Sequence, residues 1–210
     1  MADSRAGRRG SYAKGVAKRE EILNRALEVI AREGYSGASV KELADAVGLS
    51  QAGLLHYFGS KEELFTEILR KRDEVDTAAF GLAADGSIAD DDIRAGYLGV
   101  IGHNSEVPGL VQLYARLSVD AADPQHPAHQ FFVERGEGMR AVFAEVIGRK
   151  QQAGEITDRI APETLARIFQ AVADGLQVQF MLEPDVDMAA TVAALFDVLE
   201  PPAADDGSPR

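Results

Sequence analysis

Cysteine and tryptophan are absent from this chain of 210 residues. Without cysteine there is no disulfide and no thiolate metal site, which fits a reducing compartment. No apolar run reaches the roughly 18 residues a membrane-spanning helix needs, and the Arg- and Gly-rich N-terminus has no apolar signal core. These absences predict a soluble, cytoplasmic protein with no membrane partner. Phosphate loops, nucleophile elbows and zinc-protease helices are also missing. His126 and His129 stand three apart, but spacing places no third ligand, and Pro127 marks a helix entry more than a metal site. No enzyme activity, cofactor or metal is expected.

Hydrophobic residues make up 46% of the chain and charged residues 27%, enough for a folded core. The net charge of -12 is unevenly spread. Residues 1–60 hold nine Lys/Arg against seven Asp/Glu, whereas residues 61–210 hold thirteen against twenty-seven. Within residues 1–19, Arg5, Arg8, Arg9, Lys14, Lys18 and Arg19 oppose Asp3 alone. This asymmetry is the footprint of a small nucleic-acid reader joined to an acidic body. The acidic part would repel phosphates and discourage docking in the wrong orientation.

Strand-like alternation is absent, and apolar residues recur at spacings of three and four, so the chain reads as all-α. A flexible basic arm is expected over 1–15, its arginines within reach of a minor groove. From Lys18 to Glu33, Ile22, Leu23, Ala26, Leu27 and Ile30 share one face, and Gly34 suits the stop. Ser39-Val40-Lys41-Glu42 is a capping box opening a short helix with Val40, Leu43, Ala44 and Val47 inward. Gly48 ends it, and Ser50 caps a second short helix carrying Leu54, Leu55 and Phe58. Ser60-Lys61-Glu62-Glu63 is a further capping box, opening a longer helix with Leu64, Phe65, Ile68 and Leu69 on one side. Later helices are expected at about 90–103, 109–121, 128–153, 162–182 and 187–199. Pro108, Pro127 and Pro162 suit first helical turns. The Pro- and Asp-rich segment 201–210 is expected to be disordered.

Residues 39–58 have the spacing of a helix-turn-helix. A small residue, Ala44, sits where the two helices cross. Gly48 follows where the turn wants a left-handed backbone, and Leu54 locks the second helix on the first. Such a motif sets its second helix in the DNA major groove. Gln51 and Gly53 lie on that helix's exposed side, and Gln can pair bidentately with adenine. Ser39 and Ser50 are caps at helix starts, His56 and Tyr57 are polar-tipped, and Lys61 adds a charge where a helix N-terminus already favours phosphate.

The stretch SVKELADAVGLSQAGLLHYFGSKEELF, residues 39–65, resembles the DNA-binding domain of the TetR family of transcriptional regulators, over about residues 18–70. Leu54 through Leu64 carry most of the likeness. Gly53 and Leu55 stand where the family more often has Thr and Tyr. The resemblance implies an all-helical homodimeric repressor that leaves a palindromic operator when a small molecule binds. It also implies pairing through the last two helices. That agrees with the apolar residues surrounding most of 162–182 and 187–199. Phe169, Val172, Leu176, Phe180, Val192, Leu195, Phe196 and Leu199 are the expected interface. Tyr97, His103, Tyr114, Arg116, Phe131 and Phe132, in the middle helices, are the expected ligand contacts. The organisation read here is an arm (1–15), a reader (16–62), a ligand-binding and dimerisation domain (63–200) and a tail (201–210). The rival reading is a ligand- or partner-binding helical module that binds no operator.

Overall fold

A computed structural model describes residues 3–34, 38–80 and 93–200, with side chains from Ala13 onward. The described residues form nine helices: α1 (Asp3–Glu33), α2 (Val40–Ala46), α3 (Gln51–Phe58), α4 (Lys61–Ala79), α5 (Ile93–Glu106), α6 (Pro108–Asp120), α7 (His129–Gln152), α8 (Pro162–Leu182) and α9 (Met188–Leu199). No helix among them is long and apolar enough to cross a membrane. The expected tail lies outside the described residues, as does the start expected for α5 at about residue 90.

Two expectations at helix starts are corrected. Residues 3–15, expected as a flexible arm, belong to α1. Once the stripe from Ile22 to Ile30 holds the helix in a core, each further residue adds a hydrogen bond at little cost, and no proline stops the growth. Pro108 and Pro162 do open their helices, but Pro127 precedes α7 by two residues. The loop is instead held by histidines. His126 Nδ1 accepts from the Ala128 amide at 3.1 Å, and His129 Nδ1 lies 2.8 Å from the Ala121 carbonyl oxygen. Among the described residues no acidic or histidine cluster is arranged to hold a metal.

The chain divides into two compact units, Met1–Ala79 with His103–Val133 and Phe80–Gly102 with Glu134–Arg210. In the first, Ile22, Leu23, Ala26, Val29 and Ile30 of α1 share one core with Leu43 and Ala44, Leu54 and Phe58, Leu64, Phe65, Ile68 and Leu69, and Leu110, Leu113 and Leu117 of α6. The boundary expected after residue 62 therefore falls inside a packed unit. The two short helices α2 and α3 bury little apolar surface against α1 by themselves, and α4 and α6 complete the core. A buried polar network supports it: Arg72 of α4 donates to the Asn104 side chain and, at 3.3 Å, to the Leu110 carbonyl, with Asp76 3.5 Å from its Nε.

In the second unit, Tyr97, Phe143, Phe169 and Phe196 form an aromatic cluster with ring separations of 4.4–6.4 Å. The Tyr97 hydroxyl donates to the Phe169 carbonyl at 3.1 Å. This core takes up five of the eight expected dimer residues. Phe169, Leu176, Phe180, Val192 and Leu199 are buried within the protomer, and Val172, Leu195 and Phe196 pack partly against the same cluster. Helix α8 has two apolar faces, and the larger side chains fill the inner one. The outer faces carry Ala171, Gly175, Val178 and Leu182 on α8 and Ala190, Ala194 and Val198 on α9. Leu182 and Val198 are 78% and 79% exposed.

Gly109 tests how tightly α6 is held. A Cβ there would approach the Ile30 carbonyl oxygen to 2.2 Å and Gly34 Cα to 2.8 Å, both backbone atoms of or next to α1. Gly109→Ala should destabilise folding by about 1–3 kcal/mol through overpacking. Gly102→Ala, with nothing within 4 Å of its Cβ position, should be neutral or stabilising by up to about 1 kcal/mol. Urea midpoints compare the two; equal midpoints would mean that α6 moves off α1 freely.

Candidate nucleic-acid interface

Local chemistry fixes the start of α2. Ser39 Oγ accepts from the Glu42 amide at 3.3 Å, and the Ser39 amide donates to the Glu42 carboxylate at 2.7 Å, completing a capping box. The Ser39 side chain, then its amide, with help from the Lys41 charge, holds the Glu42 carboxyl below the usual carboxylate range. Ala44 and Leu54 are buried where α2 meets α3, and Gly48 turns the chain at φ 69°. The Leu49 amide then donates back to the Ala44 carbonyl at 2.9 Å.

Ser50 caps α3, its Oγ accepting from the Gly53 amide at 3.0 Å. This cap bears on Gly53: a Cβ there would lie 3.2 Å from Ser50 Oγ, tighter than ordinary contact. Gly59, at φ 80°, ends α3, and Ser60 Oγ accepts from the Glu63 amide at 3.0 Å to open α4. Two residues of backbone thus separate the reader from the next helix.

Of the sequence-derived DNA contacts, Ser39, Ser50, Gln51, His56 and Lys61 are exposed, and Gly53 and Tyr57 are half-buried. Gln51, Ala52 and His56 share the outer face of α3, opposite Leu54 and Phe58 in the core. Tyr57 packs against that core and meets the His56 ring edge-on at 6.2 Å. The Lys61 ammonium lies 5.6 Å from the Phe65 ring centroid.

One contributor was not singled out from sequence. Arg19 donates to the Tyr57 carbonyl, pairs with Glu67 at 3.3 Å, and lays its guanidinium 4.5 Å above the Phe58 ring. It ties α1 to the end of the reader helix. Its spacing was the available signal, since 19, 22, 23 and 26 recur on the inward face of α1. Nearby, Lys71 holds Glu20 at 2.7 Å and Glu74 at 3.0 Å, and these carboxylates raise its pKa.

The expected ligand residues are divided between the two units. Tyr97 lies in the second unit, while His103, Tyr114, Arg116, Phe131 and Phe132 lie in the first. Phe131 and Tyr114 are core residues there, and Arg116 is exposed. His103 sits 3.3 Å from Glu106 and 3.9 Å from Asp76. Tyr97 lines a crevice with Met139, Arg140, Phe143, Ala166, Phe169 and Gln170, too tight for water. A more open groove of about 360 Å³ runs along α7 and α8 past Glu137, Arg140, Ala144, Glu163 and Arg167.

Residues 22–68 match the family model described as bacterial regulatory proteins, tetR family. The HTH-type transcriptional repressor Rv1474c of Mycobacterium tuberculosis is 26% identical over 186 residues, spanning 88% of this chain and 91% of that protein. The HTH-type transcriptional repressor AcnR of Corynebacterium efficiens is 43% identical over 58 residues, 28% of this chain and 31% of its own. Among solved structures, reduced E. coli NemR superposes with a TM-score of 0.63 at 18% identity, covering 89% of this chain and 99% of that one. NalD of Pseudomonas aeruginosa, the secondary repressor of the MexAB-OprM multidrug efflux pump, superposes with a TM-score of 0.58 at 18% identity over 90% and 98%. At these identities the two structures establish the fold.

The Ser39–Glu42 box gives a stability prediction with a pH sign. The lowered carboxyl of Glu42 contributes stability above the ordinary carboxylate pKa, and that contribution disappears as pH falls through the folded-state value. Glu42→Ala should therefore differ most from the wild type at neutral pH, with the gap closing in acid. Ser39→Ala should cost about 1 kcal/mol at neutral pH. Urea melts across pH check both; a constant gap for Glu42→Ala would show that its charge plays no part in the cap.

Proposed function

Given that the chain belongs to the TetR family of bacterial transcriptional regulators and is a DNA-binding regulator, we propose that it represses from a palindromic operator as a two-fold dimer, and that a small-molecule effector releases it. The observation that carries the DNA-binding part is the outer face of α3. Gln51, Ala52 and His56 project from a helix capped by Ser50 and anchored at its far end by Arg19. Gln51 and His56 read base edges, and Gly53 lets the backbone come close. Ser39, Ser50, Tyr57 and Lys61 position the phosphates. Repression is favoured by the relatives, several of which are named repressors.

Footprinting on genomic fragments tests the reading, with half-sites about 10 bp apart, or a multiple, as the expected result. Lys61→Ala should weaken binding equally on all sequences and lower the log–log salt slope by about 0.9. Gln51→Ala should change which base is preferred. A changed preference for Lys61→Ala with its slope intact would reverse the assignments.

Dimerisation is assigned to the outer faces of α8 and α9, because they expose apolar and small side chains at helical spacing. A second copy laid there forms a four-helix bundle with a self-complementary interface. Val178→Asp with Leu182→Asp should yield a folded monomer in sedimentation experiments. Val192→Ala, wholly buried in the protomer, should lower stability and leave association intact.

The effector is assigned to the second unit, where the groove of about 360 Å³ runs along α7 and α8. The chain passes between units within α5 and within α7. Coupling of about 1–3 kcal/mol suffices for a switch, and linkage requires operator DNA to weaken the effector by the same factor. Calorimetry of a candidate effector with and without operator measures it; equal affinities would exclude that compound.

A further inference from the structure

The groove along α7 and α8 is lined by charge. Glu137, Arg140, Ala141 and Ala144 form its α7 side, and Glu163 and Arg167 stand on α8. Two contacts fix how these walls face each other. Arg140 donates to the Gln170 side chain at 2.7 Å, and a Cβ on Gly148 would lie 3.6 Å from Pro162 Cγ. Helices α7 and α8 therefore run antiparallel, which sets Arg167 level with Phe143 and Glu137 level with Ala173. At 1.5 Å per residue the two arginines are about 4.5 Å apart along the groove, with Glu137 about 4.5 Å beyond Arg140 and Glu163 about 6 Å beyond Arg167. The charges run negative, positive, positive, negative from one end to the other.

Arg140 is a cation prepared in advance. It is half-buried, and its partner Gln170 is neutral. A Cβ at position 136 would lie 2.9 Å from Arg140 Nη1, so Gly136, buried within α7, leaves the room that the guanidinium occupies. Glycine at such a place costs helix stability relative to alanine. Elsewhere in this chain opposite charges three or four apart on one helix pair directly, as Lys18 does with Glu21 and Arg149 with Glu145. Glu137 with Arg140 and Glu163 with Arg167 have the same spacing, yet among the described residues neither arginine has a carboxylate partner.

Building on the assignment of the effector to this groove, we infer that it takes a small zwitterion of the amino-acid class. The ligand carboxylate bridges Arg140 and Arg167, and its ammonium group faces a glutamate at one end. Guanidinium presents paired donors that match a carboxylate. A second carboxylate on the ligand would meet Glu137 or Glu163 and be repelled, whereas an ammonium group is attracted there. The groove volume of about 360 Å³ lies at the small end of ligand sites. Ala141 and Ala144 give it an apolar wall for a short aliphatic side chain.

The test titrates the full-length protein, free of DNA, with leucine, 4-methylpentanoate (no ammonium), isopentylamine (no carboxylate) and glutarate (two carboxylates). Calorimetry gives the affinities, and the methyl NMR signals of Ala141 and Ala144 give the place. Leucine should bind most tightly, 4-methylpentanoate less so, and the amine and the dicarboxylate least. Arg140→Gln should weaken leucine by about 10–100-fold, the worth of a hydrogen bond to a charged group. Gly136→Ala keeps every charge but displaces the guanidinium, so it should weaken leucine several-fold while the thermal transition stays or rises. Glu137→Gln/Glu163→Gln should weaken leucine and leave 4-methylpentanoate at least as tight. Isopentylamine or glutarate binding as tightly as leucine would overturn the inference, as would leucine binding that Arg140→Gln leaves intact. So would the absence of any response at the two alanines to a carboxylate, the result expected of charges that are merely solvated. Operator affinity with and without saturating leucine tests the effector assignment separately. If leucine binds as described and operator affinity is unchanged, that assignment fails and the ligand class stands. If another compound releases operator from this groove while no carboxylate binds there, the ligand class fails and the assignment stands.

Discussion

The approach of α6 to α1 at Gly109 is the constraint on which the first unit depends. With no side chain at that position, the first turn of α6 rests directly on the backbone at the end of α1. Leu110, Leu113 and Leu117 can then enter the core that also holds Ile22, Ala26 and Ile30. Burial of this kind is worth about 1.5–3 kcal/mol for each large apolar side chain removed from water. A helix-turn-helix by itself has too little interior to collect it. The reader is stable because α4 and α6 roof it, and Arg72 of α4 binds the Leu110 carbonyl of α6 and the Asn104 side chain at the end of α5.

Above that core, the reading surface is set by short-range chemistry. The serines at 39, 50 and 60 each accept the amide three residues on, satisfying donors that a helix start leaves unpaired. The glycines at 48 and 59 take the left-handed backbone of their turns. The same economy shapes position 53, where a side chain would crowd the Ser50 cap. The missing Thr at that site is therefore consistent with a cap held close, and Gln51 and His56 are the polar side chains exposed on the same helix.

The second unit divides its apolar surface between two tasks. Tyr97, Phe143, Phe169 and Phe196 close an interior by edge-on and tilted ring contacts. Alanines and a glycine, with Val178, Leu182 and Val198 among them, face outward along α8 and α9. A helix apolar nearly all round is compatible with a buried centre or with a shared interface. Burial separates the two: Phe169, Leu176 and Val192 are packed inside the protomer, whereas Leu182 and Val198 stay exposed.

Most of the helices and the reader were legible in the sequence, because caps, left-handed glycines and three-to-four spacing act over a few residues and need no partner. Ser39 with Glu42, Gly48 and Leu54 identify the motif whatever surrounds it. Several things were decided only by tertiary structure. The membership of α6 in the reader's unit rests on a contact between residues 30 and 109, which no local pattern announces. The same holds for Arg19, whose partners lie 38 and 48 residues away. Periodicity shows that apolar residues surround most of α8 but not which face turns inward, and Phe169, Leu176 and Phe180 went to the protomer's own core. The aromatic residues expected to line one ligand site went to two separate cores, since burial draws rings into whichever core packs them best.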